Sequence, residues 1–292
     1  MYTNIMSVLR CPHCGTKFEL VESQIENEEI VEGKIICEKG HVFSVHEGIL
    51  DFNSQEQESL NAWSKYYEEE NDDDFDRRLD AHETETQRKN KSDFLAGIVE
   101  EARKLDEGYL LDVASGRGLL LRELLKNINV PVNIISTDLS FQVLKYDRIK
   151  LKEINPRVKV NYIACDATRL PIETSSIDMV FTFVGFTNMM NLMEDGIKDA
   201  ARVLKAGAPL INSSVYMNEN ADGAQRVVRF LKENDMVGAE KMFIRKELLA
   251  IHKKYFKTIH EKIIYEGIAE TVEGDLIPCT GEWFANVVLV AQ

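Results

Sequence analysis

Five side chains with metal-ligating chemistry fall between positions 11 and 41: Cys11, His13, Cys14, Cys37 and His41. Cys11-Pro12-His13-Cys14 is a C-x2-C pair, and after a 22-residue gap Cys37-Glu38-Lys39-Gly40-His41 is C-x3-H. Two such knuckles can close a tetrahedron of three thiolates and one imidazole around Zn²⁺. Four protein ligands leave no open position for water, so the expected role is structural. By spacing, His41 is the best fourth ligand; His13 lies inside the first knuckle, and His46, further along, is the alternative. The alternative is a disulfide, but Met1 to Arg10 has no secretory pattern, and thiols in a reducing compartment prefer metal.

A second set of candidate groups is acidic. Leu110-Leu111-Asp112-Val113-Ala114-Ser115-Gly116-Arg117-Gly118 reads as a buried strand and a glycine turn, with a helix from Leu119 to Asn127. Gly116 and Gly118 remove Cβ atoms where a ligand must approach the backbone. The helix N-terminus offers free N–H groups to an anionic group such as a carboxylate. Asp138 follows about 20 residues after the turn, where an acid in a doubly wound fold hydrogen-bonds ribose hydroxyls. A third acid, Asp166, closes the apolar run Val158 to Ala164. The G-x-G-x-x-G pattern is not met, since Ala114 holds the first glycine position and Leu121 the third.

The elements that position these acids are apolar runs. Tyr109–Val113, Val132–Ser136, Val158–Ala164, Ile177–Phe183 and Leu210–Ser214 read as strands of an α/β sheet. A helix-like stretch runs from Met193 to Leu204. Acids at the carboxyl ends of the first three strands converge on the crevice where open α/β sheets bind ligands.

In this order and spacing, Leu-Asp-Val-Ala-Ser-Gly-Arg-Gly (111–118), Thr-Asp-Leu-Ser (137–140), Cys-Asp-Ala-Thr-Arg-Leu-Pro (165–171) and Ala-Arg-Val-Leu-Lys-Ala-Gly (201–207) resemble the class I S-adenosylmethionine-dependent methyltransferases. The resemblance covers roughly residues 106–292. It implies a Rossmann-like, doubly wound α/β sheet of seven strands, the last antiparallel, formed by Phe284–Ala291 beside Lys257–Tyr265. It also implies cofactor-binding roles. The glycine turn with Asp112, Ala114, Ser115, Gly116 and Gly118 holds the methionine part. Asp138 with Leu139 takes the ribose hydroxyls. Asp166 takes the adenine amino group with Ala167 beside the ring, and Phe183 joins the site from the fourth strand. Residues 5–53 resemble the zinc ribbon of some rRNA guanine methyltransferases and of small methyltransferase-activating proteins.

The expected layout is a zinc-ribbon module over 1–53, an acidic linker and helical cover over 54–105, and a methyltransferase domain over 106–292 with a substrate lid at 218–249. Within the linker, Ser92 to Leu105 shows helical apolar spacing, and Trp63, Tyr66 and Tyr67 precede an acidic run at 68–76. The lid contains a helix-like Gln225 to Lys232. A fragment spanning 80–292 is expected to bind the cofactor by itself.

The net charge is −14, with 35 Lys and Arg against 49 Asp and Glu. That balance opposes a broad nucleic-acid face, which needs phosphate neutralisation. No apolar run reaches the roughly 18 residues that span a membrane, and a cytoplasmic protein is the simplest expectation. The leading expectation is methyl transfer to a small molecule. An rRNA or tRNA base substrate is the second, favoured by the zinc ribbon and opposed by the charge. A non-catalytic sensor or partner protein, docking through the zinc module, is the third. No catalytic residue stands out; Asn188, Tyr216 and His82 are candidates for positioning an acceptor.

Overall fold

Leu110 and Leu111 are adjacent, fully buried, and belong to different hydrophobic cores. The same alternation recurs at Ile134 and Ile135, Tyr162 and Ile163, and Ile49 and Leu50. It is the signature of a sheet covered on both faces. The computed structural model describes residues 1–53, 77–78, 80–81, 83–128, 131–220, 222–233, 239–270 and 280–292. Trp63, Tyr66, Tyr67, the run 68–76 and His82 lie outside the described residues.

In chain order the strands are β1 (Phe18–Glu26), β2 (Glu29–Cys37), β3 (Val42–His46), β4 (Ile49–Asp51), β5 (Gly108–Val113), β6 (Val132–Asp138), β7 (Lys159–Ala164), β8 (Met179–Thr182), β9 (Leu210–Met217), β10 (Ile259–Ile268) and β11 (Trp283–Ala291). The main helices are α1 (Glu85–Ala102), α2 (Leu119–Asn127), α3 (Phe141–Leu151), α4 (Met193–Val203), α5 (Asp222–Glu233) and α6 (Arg245–Lys253). One eleven-stranded sheet has the order β1-β2-β3-β4-β7-β6-β5-β8-β9-β11-β10. Its last seven strands follow the expected plan: β7 to β9 are mutually parallel and β11 is antiparallel to β9.

The expected count of seven strands is therefore corrected to eleven. The N-terminal strands do not form a separate sheet. β4 pairs parallel with β7, with Ile49 opposite Tyr162 and Asp51 opposite Ala164, and carries β1 to β3 with it. The cores fuse as well: Ile5, Leu9, Phe18, Ile35 and Phe52 share one cluster with Ile163, Leu170 and Ile172. Backbone bonds seal this joint, from Arg10 N–H to the Pro171 carbonyl (2.9 Å) and from Glu173 N–H to the Val8 carbonyl (2.8 Å). An edge strand of three residues cannot bury its apolar side alone, and β7 supplies the missing partner.

The cover helix α1 begins at Glu85, earlier than the apolar spacing indicated. Thr84 explains the difference: its side chain accepts from Gln87 N–H (3.2 Å), and the Gln87 side chain accepts from Thr84 N–H (2.8 Å). This capping box starts the helix in a polar stretch where apolar periodicity is silent. Among the described residues, no helix is long and apolar enough to cross a membrane.

The far side of the sheet is pinned by a buried histidine. His252 on α6 is fully buried, with Nδ1 2.8 Å from the Leu248 carbonyl. Nδ1 must then carry the proton, and Nε2 accepts from Asn212 Nδ2 on β9 at 3.2 Å. Burial pushes the imidazole from 6.5 down to about 4. The unfolded chain takes up this proton near 6.5 and the folded chain near 4. Stability from this group is thus complete above pH 6.5, falls as pH drops through that value, and is lost by about pH 4, a change of about 3 kcal/mol. Urea unfolding of wild type and His252→Gln is expected to diverge across pH 4 to 6.5, with the steeper acid loss in wild type. Parallel profiles would contradict this.

Candidate metal centre and cofactor site

Cys11, Cys14, Cys37 and His41 converge, their ligating atoms all within 4.8 Å of one another. Cys14 Sγ lies 3.6 Å from Cys37 Sγ, and His41 Nδ1 lies 3.5 Å from Cys11 Sγ and 3.2 Å from Cys37 Sγ. Tetrahedral zinc with its usual bond lengths sets such separations at about 3.5–3.8 Å. Each knuckle closes on a glycine with positive φ: Gly15 (+73°) returns its N–H to the Cys11 carbonyl, and Gly40 (+83°) to the Cys37 carbonyl. No ordinary L residue makes these turns cheaply. His13 and His46 stay outside the cluster. His13 sits against the His41 ring, and His46 pairs with Glu32 and stacks on Phe141.

The second site lies at the carboxyl ends of β5, β6 and β7. Ala114, Gly116 and Gly118 all take left-handed backbone, at φ of +53°, +55° and +64°. The two glycines differ in what surrounds them. A Cβ on Gly118 would come within 2.6 Å of the Asp147 carboxylate, whereas a Cβ on Gly116 would meet nothing within 4 Å among the described residues. Gly116 therefore borders an open cradle, and Gly118 keeps the turn packed on α3 below it. Gly118→Ala is expected to cost at least about 1–2 kcal/mol from backbone conformation alone, read as a lowered urea midpoint. An unchanged midpoint would show that the turn relaxes freely.

Asp138 is the organiser of the cradle. Its Oδ2 accepts from Gly116 N–H and its Oδ1 from Ser140 N–H, each at 2.9 Å. Asp112 is 1% exposed, and neither of its oxygens has a hydrogen-bond partner among the described residues. Burial raises its pKa well above the ordinary carboxylate value, and the nearby Asp147 and Asp138 carboxylates push in the same direction. A buried, unpartnered acid beside other acids suits a cationic ligand group. Asp166 uses Oδ1 to accept from the backbone N–H (2.8 Å) and hydroxyl (2.7 Å) of Thr168. Ala167 packs against the core beside it, and the Leu139 carbonyl accepts from Asn53 Nδ2 at 2.8 Å. Phe183 meets Phe94 of α1 edge to face, with centroids 5.4 Å apart, so α1 covers the β8 end of the crevice.

Several functional-site neighbours had no sequence signal. Asp147 reaches the glycine turn from α3, and Asn53 arrives through the β4–β7 pairing. Val184, directly after Phe183, has φ +59°, a costly conformation for a β-branched residue. The Ser213 hydroxyl accepting from Val184 N–H (2.8 Å) holds it there.

The acceptor-positioning candidates divide. Asn188 is exposed on a short helical turn, and Tyr216 is buried with its hydroxyl donating to Glu261 (3.1 Å). Beyond the carboxyl end of β9, a depression open to solvent is lined by Tyr216, Asn218, Arg245, Lys246 and Trp283 among others. Arg245 grips Glu261 through two bonds of 2.7 and 2.6 Å, and Arg226 pairs with Glu282. Two of the cations in the 218–249 segment are therefore already matched by acids.

The methyltransferase-domain family matches residues 110–207. Demethylmenaquinone methyltransferase of Porphyromonas gingivalis is 30% identical over 102 residues, which is 35% of this chain and 41% of that protein. The ubiquinone/menaquinone biosynthesis C-methyltransferase of Stutzerimonas stutzeri is also 30% identical over 102 residues, covering 35% and 40%. The chain thus spans about two-fifths of the length of these curated relatives. A solved Bacillus halodurans protein described as a candidate methyltransferase shares the fold, at TM-score 0.50 and 17% identity over 67% of this chain and 96% of that one. The glycine turn with Asp112, Asp138 and Asp166 lies within the residues that match the methyltransferase-domain family.

Proposed function

We propose that this protein transfers the methyl group of S-adenosylmethionine to a small-molecule acceptor. The observation that carries the proposal is the open glycine cradle at Gly116, bounded by acids at the ends of three successive strands, inside a matched methyltransferase domain. Asp138 would hold the ribose hydroxyls, and Asp166 the adenine amino group with Ala167 and Leu139 alongside. The turn from Ala114 to Gly118 would cradle the methionine end, where the buried Asp112 carboxyl would ionise against its cationic groups. When bound, the cofactor supplies a methyl group on a positively charged sulfur, already activated for displacement.

The chain's own contribution is then alignment and exclusion of water. Phe183, Phe94 and the strained Val184 backbone close the crevice from the β8 side. The Tyr216 hydroxyl is committed to Glu261, and burial with that neighbouring acid raises its pKa, so it is no base at neutral pH. No proton acceptor is assigned.

A small acceptor is favoured by two facts. The curated relatives are named for quinone substrates, and the net charge of −14 opposes an RNA backbone. Cys11, Cys14, Cys37 and His41 would hold a structural Zn²⁺.

The test is incubation with methyl-labelled cofactor and a cell lysate separated into RNA, protein and small-molecule fractions. Label in the small-molecule fraction is the expected result. Label confined to RNA or protein would overturn the acceptor assignment.

A further inference from the structure

The N-terminal strands end inside the cofactor crevice. β4 runs parallel to β7, so its carboxyl end lies at the same end of the sheet as Asp138 and Asp166. The chain leaves β4 through Phe52, whose N–H donates to the Ala164 carbonyl at 2.9 Å. Ala164 is the last residue of β7, two before Asp166. Asn53 follows, and its side-chain amide donates to the carbonyl of Leu139, the residue after Asp138. That bond fixes the amide orientation, because only the nitrogen can donate to a carbonyl. The other end of the amide, Asn53 Oδ1, is buried and has no hydrogen-bond partner among the described residues. A buried acceptor without a donor is uncommon in folded proteins and marks a place where a ligand or water completes the structure.

Phe52 also ties this corner to the metal cluster. Its ring lies 4.6 Å from Phe43 and 5.7 Å from Phe18. Phe43 stacks on His13 at 5.8 Å, and His13 sits 5.0 Å from the metal-cluster residue His41. A contiguous packed path therefore links the knuckles to Asn53.

We infer that the N-terminal metal module forms one wall of the cofactor site, with Asn53 as a cofactor-positioning residue, so that metal occupancy and cofactor affinity are linked. Asn53 holds the backbone beside Asp138, and its Oδ1 accepts a donor from the adenosine part of the cofactor. The inference rests on the reading that the crevice binds S-adenosylmethionine. It reverses the expectation that residues 80–292 suffice for binding. Linkage is reciprocal: a cofactor that binds better when the metal orders Phe52 and Asn53 must also hold the metal more tightly.

The experiment uses the full zinc-loaded chain, S-adenosylhomocysteine as the probe, and a chromophoric chelator to follow zinc release. Saturating probe is expected to slow zinc release several-fold in wild type and to leave it unchanged in Asn53→Ala. Asn53→Ala is expected to bind the probe roughly 3- to 10-fold more weakly, the scale of one lost hydrogen bond. A purely structural Asn53 would lower the melting temperature while the probe still slowed zinc release in the variant as it does in wild type, and that result overturns the inference. Wild type that binds the probe but shows no protection of zinc overturns the inference, as does equal probe affinity in the variant. Wild type that does not bind the probe overturns the cofactor reading itself, and with it this one.

Discussion

Asp138→Ala is expected to weaken S-adenosylmethionine binding by about 1.5–3 kcal/mol, the range for losing hydrogen bonds to a charged group. That is roughly a 10- to 150-fold rise in Kd. Two losses combine. The carboxylate would no longer receive the ribose hydroxyls, and the bonds that it accepts from Gly116 and Ser140 N–H would vanish. The second loss frees a turn whose Ala114, Gly116 and Gly118 backbones are all left-handed. Asp138→Asn separates the two, since its side-chain oxygen can still accept one of these backbone bonds. It is expected to fall between wild type and alanine in titration calorimetry. Equal affinity in all three proteins would remove Asp138 from the site.

Cys37→Ser is expected to reduce bound zinc from about one per chain to near none. The accompanying loss of stability is expected to be several kcal/mol, a part of the roughly 10–16 kcal/mol that structural zinc supplies in isolated fingers. The effect should spread beyond the knuckles, because β2, which ends at Cys37, is joined through β3 and β4 to β7. Elemental analysis with urea unfolding reads both quantities. Zinc-free protein with an unchanged unfolding midpoint would show that the four side chains stabilise nothing through a metal.

The central sheet was legible because its strands are buried on both faces and appear as unbroken apolar runs. The boundaries that moved did so for local reasons. β8 is shorter than the run Ile177–Phe183: Ile177 forms only an isolated bridge to Leu204, and Val184 turns the chain at the other end. The acids of the crevice were visible because each closes a strand. Asp147 was not, since a mid-helix acid looks like any solvated charge until α3 packs on the glycine turn.

The convergence of Cys11, Cys14, Cys37 and His41 was legible from spacing alone. The place of their module was not. Ile49-Leu50-Asp51 is only three residues, and it reads as the tail of a zinc ribbon. Its pairing with β7 joins positions more than a hundred residues apart, a non-local contact with no periodicity to announce it. That pairing turns a seven-stranded expectation into an eleven-stranded sheet and brings Asn53 to the crevice.

The most direct test of the central claim is a calorimetric titration of S-adenosylmethionine into the full, zinc-loaded chain, with Asp138→Ala alongside. One site per chain in wild type, weakened in the variant, is the expected result. No binding by a folded, metal-loaded protein would contradict the methyltransferase reading of the crevice.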